Sequence, residues 1–319
     1  MKNVFYLLIL FACFYTQILY GQIVINEISN AKGSVFVDEN GETQDWIEIY
    51  NPGSSQVNLL NYSFDDDSNR WFFPAITIEA NSFKIIFASG KDTINGNYLH
   101  ANFKLSSDGE EIMLNDADGK IIDSYDLKKL QNNHSFGRNP DGSQNWCLFD
   151  SASPGATNNN SVCYEGYEAD PVFSLDAGFY FSNQIVELYT PSTTGVIKYS
   201  EDGGFPSNTS ILYTSSISIG TTKVVSAKCY SSGNRLPSKT VKRTYFINEE
   251  GCDLPIFSIT LDPDDLWDYN TGIYVMGPGA SSLRPFRGAN FWKDWEKTCH
   301  VEYFNKQKVK QFELDAGLK

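Results

Sequence analysis

The sequence predicts a mainly β protein built from tandem antiparallel β-sandwiches. Short stretches of alternating apolar and polar residues recur along the chain. Aromatics are dense, with 22 Phe, 18 Tyr and 6 Trp in 319 residues, and such side chains suit a pleated, half-buried surface. No stretch keeps a helical apolar repeat for more than about ten residues. Hydrophobic residues make up 41% and charged residues 20%, the balance of a folded chain. The length suggests two or three domains.

The chain opens with export grammar. Lys2 gives a basic start, Val4 to Ala12 is apolar, and Gly21 precedes Gln22. This predicts a signal peptide over residues 1–21, too short for a membrane span. Cys13, in Leu10-Phe11-Ala12-Cys13, offers a weaker lipoprotein alternative. No later run is long and apolar enough to cross, so the mature chain is expected to be secreted or at the cell surface without a transmembrane segment. Loss of Lys2 leaves 39 acidic and 24 basic side chains, net −15. That charge argues against nucleic acid as a partner.

Five cysteines follow the signal: Cys147, Cys163, Cys229, Cys252 and Cys299. They show neither CxxC nor Cys-to-His metal spacing, and export permits disulfides. Cys147 and Cys163 flank one loop-rich end and are placed to pair. Five is odd, so at least one thiol stays free or pairs beyond the chain. Cys229 runs in phase with Val225 and Ala227, which predicts a buried free thiol.

The first module is expected over residues 22–158. In DWIEIYNP, Ile47 and Ile49 face one way and Trp46, Glu48 and Tyr50 the other; Asn51-Pro52-Gly53 ends the strand. FKIIFASG reads as a buried strand. EEIMLNDADGKIIDSY reads as a hairpin about Asp118-Gly119. Asp65, Asp66 and Asp67 cluster as calcium ligands do, but a solvated turn is the favoured reading. Asp116-x-Asp118-Gly119 begins like an EF-hand loop without its downstream Glu. His100 and His134 read as surface or edge residues. Taken in order, INEI (Ile25 to Ile28), DWIEIYNP (Asp45 to Pro52), WFFP (Trp71 to Pro74), HANFKLSSDGEEIML (His100 to Leu114), SFGRNPDGSQNW (Ser135 to Trp146) and SPGATN (Ser153 to Asn158) resemble the lamin-tail domain in its bacterial form. That resemblance implies an immunoglobulin-like sandwich with no specific ligand.

A small, polar linker over 159–170 leads to a second module over 171–248. QIVELYTP, VIKYSEDG, SISI, TKVVSAKCY and VKRTYFI alternate between turns at Pro191 to Gly195, Asp202 to Gly204 and Ser231 to Asn234, which fits a small Greek-key sandwich. PVFSLDAGFY, IKYSEDGGFPSNTSILY and KTVKRTYFI resemble the C-terminal domain of chitobiase and β-hexosaminidase proteins. Several of Tyr199, Tyr213 and Tyr230 lie on strands in phase with core positions, so core or spacer is expected rather than a sugar platform.

The last segment, 249–319, opens with an apolar strand, LPIFSITL. Asp262 has N-cap chemistry, Pro263 suits the first helical position, and acids follow in the first turn. Gly272 to Val275 is expected to be extended. Met276 to Asn290 is a Gly/Pro-rich loop whose Gly277-x-Gly279 lacks the strand-to-helix context of a phosphate loop. Cys299, Val301 and Tyr303 alternate with His300 and Glu302, which share one strand face and read as paired surface residues rather than an acid–base group with Glu296. No catalytic, cofactor-binding or metal-ligating residue is assigned. LPIFSITLDPDDLWDYNTGIYV, GANFWKDWEKTCHVEYFN and FELDAGLK resemble the start of the CotH family of spore-coat kinase-like proteins. This implies the N-terminal portion of an α+β kinase-like domain that, when complete, uses ATP and a divalent metal on an exported protein acceptor. The segment is expected to stop mid-pattern, before the family's catalytic residues, and to fold poorly alone. The alternative is a cell-surface array binding a glycan or protein without enzymatic activity.

Overall fold

The structure is a computed structural model that describes residues 23–31, 36–66, 69–249 and 253–319. The expected signal peptide over 1–21, Asp67 and Cys252 lie outside the described residues. The chain divides into two compact units, Met1–Cys163 and Tyr164–Lys319.

The first unit pairs two sheets. One has seven strands in the order Trp146–Phe149, Ser135–Arg138, Val24–Ser29, Asp45–Asn51, Ser82–Ala88, Tyr98–His100 and Thr93–Asn95. The other has four, in the order Ile121–Lys128, Gly109–Asn115, Ser63–Asp66 and Asn69–Phe72. Period-2 alternation sends Ile47 and Ile49 into the core, where Ile25, Ile28 and Ile86 join them against Phe64, Trp71, Ile112 and Leu114 of the second sheet. The expected alternation in DWIEIYNP holds. The opposite face is covered as well, since Trp46 and Glu48 are also buried. A register shift between Ile25 and Glu27 inserts Asn26 as an extra residue, which puts both polar residues of INEI on that second face. The hairpin about Asp118-Gly119 forms as its sequence predicts. Gly119 takes φ +79°, and Asp116 Oδ1 accepts from the amides of Asp118 and Lys120 at 3.0 and 2.9 Å. That use of Asp116 belongs to the turn and not to an EF-hand.

In the second unit a five-stranded sheet runs Gly178–Tyr180, Val241–Ile247, Lys223–Ser231, Gly195–Ser200 and Ile211–Leu212. Val225, Ala227, Tyr245 and Ile247 on one of its faces meet Val186, Leu188, Ile217 and Ile219 from the two short ribbons. Tyr199 and Tyr213 pack half-buried on this core, and the Tyr230 hydroxyl donates to Pro206 O at 2.7 Å. Tyr199 and Tyr213 therefore serve packing, as expected, while Tyr230, on the opposite face, is held through its hydroxyl.

The last segment belongs to the same unit. Ile256–Thr260, Lys297–Phe304 and Lys310–Leu318 form a three-stranded antiparallel sheet. Asp262 caps the five-residue helix Pro263–Trp267 by accepting from the Asp264 amide at 3.0 Å, as its composition predicts. Gly272 to Val275, expected to be extended, instead turns back onto that helix. The amides of Ile273 and Tyr274 donate to Asp265 O and Leu266 O. Asp268 Oδ1 sets the turn by accepting from the amides of Asn270 and Thr271. A Cβ on Gly272 would meet Leu266 O at 2.6 Å, so only glycine lets the backbone pass so close.

Candidate functional site

Among the described residues, three clusters of buried polar side chains are candidates for chemistry. The first lies on the covered face of the seven-stranded sheet. Glu27 and Glu48 are adjacent across two strands and fully buried. The segment Ser153–Asn158 folds back over them. Ser153 donates its amide and hydroxyl to Glu27, each at 2.9 Å, and Ser135 Oγ adds a donor at 2.5 Å. Gly155 N donates to Glu48 at 2.6 Å and Asn26 Nδ2 at 3.2 Å. Burial and the neighbouring Glu27 charge outweigh these donors and push the Glu48 carboxyl up to about 8. Glu27 is raised too, chiefly by burial. Asn158 completes the clasp, donating to Asn26 O and Arg138 O while Ser153 donates to it. Gly137 makes room for it, since a Cβ there would sit 2.8 Å from Asn158 Nδ2. Arg138 is held beside this by Ile25 O at 2.7 Å and by both Asp123 oxygens at 2.8 and 2.9 Å. Most of these donors and acceptors tie the returning segment Ser153–Asn158 to the strands beneath it, so the cluster is a clasp.

The second cluster is Asp38, Glu39 and His100. His100, expected at a surface or edge, is instead fully buried. Its strand packs the ring against Phe87. Both ring nitrogens are engaged, Nδ1 with Ser89 Oγ at 2.9 Å and Nε2 with Glu39 Oε2 at 3.0 Å. Burial opposes charge on Asp38, but the Lys91 ammonium at 2.7 Å and the amides of Glu42 and Asn40 hold it at about 2. Lys91 therefore supplies the positive charge beside Asp38. Of the acidic run at 65–67, Asp65 forms a two-point ion pair with Arg70 across the hairpin at 2.7 and 2.5 Å.

The third cluster differs. His300 and Glu302 share the inward face of the last sheet, opposite Asp315 and Glu313 on the neighbouring strand. The shared face is as expected, but the residues are not at the surface: His300 is 9% exposed and Glu302 0%. They are covered because this face packs on Val241–Ile247, where Thr244 N donates to Glu302 Oε2 at 3.0 Å and Phe304 meets Phe179 and Phe246 edge-on. His300 Nδ1 lies 2.9 Å from Asp315 Oδ1. Glu313 Oε2 accepts from Arg243 Nη1 and Lys310 Nζ, each at 2.8 Å. Desolvation raises the Glu302 carboxyl, and the His300 contact lowers that of Asp315. His300 Nε2 and Glu302 Oε1 are both buried without a hydrogen-bond partner.

Residues 17–129 match the family model of the Lamin Tail Domain. Residues 175–242 match that of the Chitobiase/beta-hexosaminidase C-terminal domain. No curated protein matches the chain. The chain is thus a modular β-domain protein. The two matches cover the earlier lamin-tail blocks, up to Leu114, and most of the second-module blocks on which those resemblances rest; neither reaches residues 249–319. The Ser135–Asn158 clasp and the last sheet lie beyond them.

The loop around Gly277 does not fit the ATP that a kinase-like domain would use. Gly277 has φ +68°, and a Cβ there would collide with Asn290 Oδ1 at 2.1 Å. Buried Asn290 fills that space and donates to Tyr269 O and Gly272 O at 3.2 and 3.1 Å. Gly279 and Gly288 likewise allow one backbone to pass the other. These glycines serve an internal loop clasp and leave no cradle for phosphate. Cys147 and Cys163 form the expected disulfide, Cys229 is the expected buried free thiol, and Cys299 is a second one not singled out from the sequence.

Proposed function

We propose that this is an exported modular protein whose two β-modules carry the first strands of a kinase-like domain of the spore-coat CotH type. The observation that supports this reading is the outer face of the last sheet. Phe257, Ile259, Phe312 and Leu314 are 43–58% exposed there, and cross-strand register places Val301 and Tyr303 between them. Six uncharged residues on three adjacent strands form an exposed apolar patch of the kind that marks an interaction surface, and we read it as the inner surface of a larger core. Its occupant is the remainder of the same kinase-like domain, which would bring ATP, a divalent metal and the catalytic groups. The acceptor would be another exported protein.

The test compares the protein made from its full reading frame with residues 22–319, each given ATP labelled at the γ-phosphate and a mixed exported-protein acceptor. Label transfer by the former and not by the latter is expected. A reading frame that stops at Lys319, or transfer by residues 22–319 alone, overturns the reading.

A second reading, adhesion without catalysis, draws on a different surface. Trp267, Tyr269, Tyr274 and Trp292 are 58–71% exposed around the Gly/Pro-rich loop, and exposed rings of this kind stack on sugars. Retention on chitin or cell-wall material that is lost on Trp292→Ala would favour it.

A further inference from the structure

The two unpartnered atoms in the last sheet need an explanation, because a buried donor or acceptor without a partner is costly. His300 Nδ1 faces the Asp315 carboxylate at 2.9 Å, and a carboxylate only accepts, so Nδ1 carries the hydrogen. That tautomer leaves a bare lone pair on Nε2. Nε2 is buried with nothing to accept from. One ligand atom each from His300, Glu302 and Glu313 lie within 4.8 Å of one another. A carboxylate behind an imidazole that sits close to two further carboxylates is the usual outer-shell arrangement of a metal-bound histidine.

Of the two glutamates, Glu302 is the one without a direct counter-charge among the described residues. Arg243 and Lys310 are shared between Asp176 and Glu313. Among the described residues Glu302 takes part in no ion pair, and the nearby Lys242 ammonium turns away to Gly203 O at 2.8 Å. The contrast with the Asp38–Glu39–His100 cluster is direct: there both ring nitrogens are engaged and Lys91 supplies the positive charge. A cleft of about 210 Å³ lined by Lys239, Arg243, His300, Glu313 and Asp315 gives access from solvent.

We infer that His300 Nε2, Glu302 Oε1 and Glu313 bind a divalent zinc-class cation, with Asp315 orienting the imidazole. One nitrogen and two oxygen donors select zinc over magnesium or calcium, which prefer all-oxygen sets. Three protein ligands and a fourth position open to the cleft complete a four-coordinate site. The ion bridges two strands of the last sheet and neutralises Glu302 in the seam against Thr244. This site is independent of the kinase reading and of any ATP-bound metal.

The experiment uses the full chain, stripped with chelator, given Zn2+ and desalted. It is expected to retain about one zinc per chain, to melt at a higher temperature with zinc than with chelator, and to ignore excess Ca2+ and Mg2+. His300→Ala and Glu302→Gln should abolish retention, and Asp315→Asn should weaken it about 10–100-fold. Because a buried substitution can cost the fold, Co2+ is also added to the unaltered chain. A tetrahedral ligand-field spectrum without a thiolate charge-transfer band supports the site. The inference fails if no metal is retained, if both substituted chains retain it unchanged, or if the cobalt spectrum carries the thiolate band that Cys229 or Cys299 would give.

Discussion

Two buried carboxyls, Glu48 and Glu27, weigh on the pH response of the first unit. Glu48 titrates at about 8 when folded and near the ordinary Glu value of about 4.3 when unfolded. Between those values the folded protein holds a proton that the unfolded chain has released, so stability falls as pH rises through the window. One pK unit corresponds to about 1.4 kcal/mol, which makes the loss several kcal/mol by about pH 8. Glu27 shifts in the same direction. Urea unfolding at about pH 5 and about pH 8.5 should give the higher midpoint at the lower pH, and Glu48→Gln should flatten the difference. A midpoint that rises with pH would contradict this assignment. Neither Glu was legible as buried from sequence. Alternation places Glu48 correctly on the face opposite Ile47 and Ile49, but period alone cannot say that Ser153–Asn158 returns to cover that face. His300 and Glu302 were hidden in the same way: the strand pattern gives their common face, and only the packing of Thr244 and Phe304 makes it an inner one.

At the scale of elements, local chemistry was the readable part. The Asp118-Gly119 hairpin, the Asp262-Pro263 helix start and the Cys147–Cys163 disulfide each follow from residues close in sequence. Gly272 to Val275 was misread because its short apolar run suits a strand. The Asp268 side chain and the close pass at Gly272 bind it to the helix instead. The disulfide closes a loop of 16 residues and fastens the end of the clasp segment beside Asn158. Replacing both cysteines with Ser should lower unfolding free energy by about 3 kcal/mol, from lost loop constraint. Denaturant unfolding under reducing and non-reducing conditions measures it. A reductant effect as large in the double Ser chain as in the parent would show that the bond is not its source.

For the whole molecule, what the sequence makes plain is a series of β-modules, because alternating strands and Gly/Asn/Asp turns recur throughout. Which surfaces stay open was not readable, since exposure depends on contacts between distant strands. The last sheet is the informative case. Its inner face carries His300, Glu302 and Phe304 against Thr244 and Phe246, while its outer face presents Phe257, Ile259, Phe312 and Leu314. Burying a side chain of this size stabilises by about 1.5–3 kcal/mol, so covering such a face would firmly seat a further layer. Photo-crosslinking tests this most directly. A benzoylphenylalanine placed at Phe312 in the protein made from its full reading frame should join to residues beyond Lys319 of the same polypeptide. A crosslink only to a separate molecule, or none at all, would contradict the account.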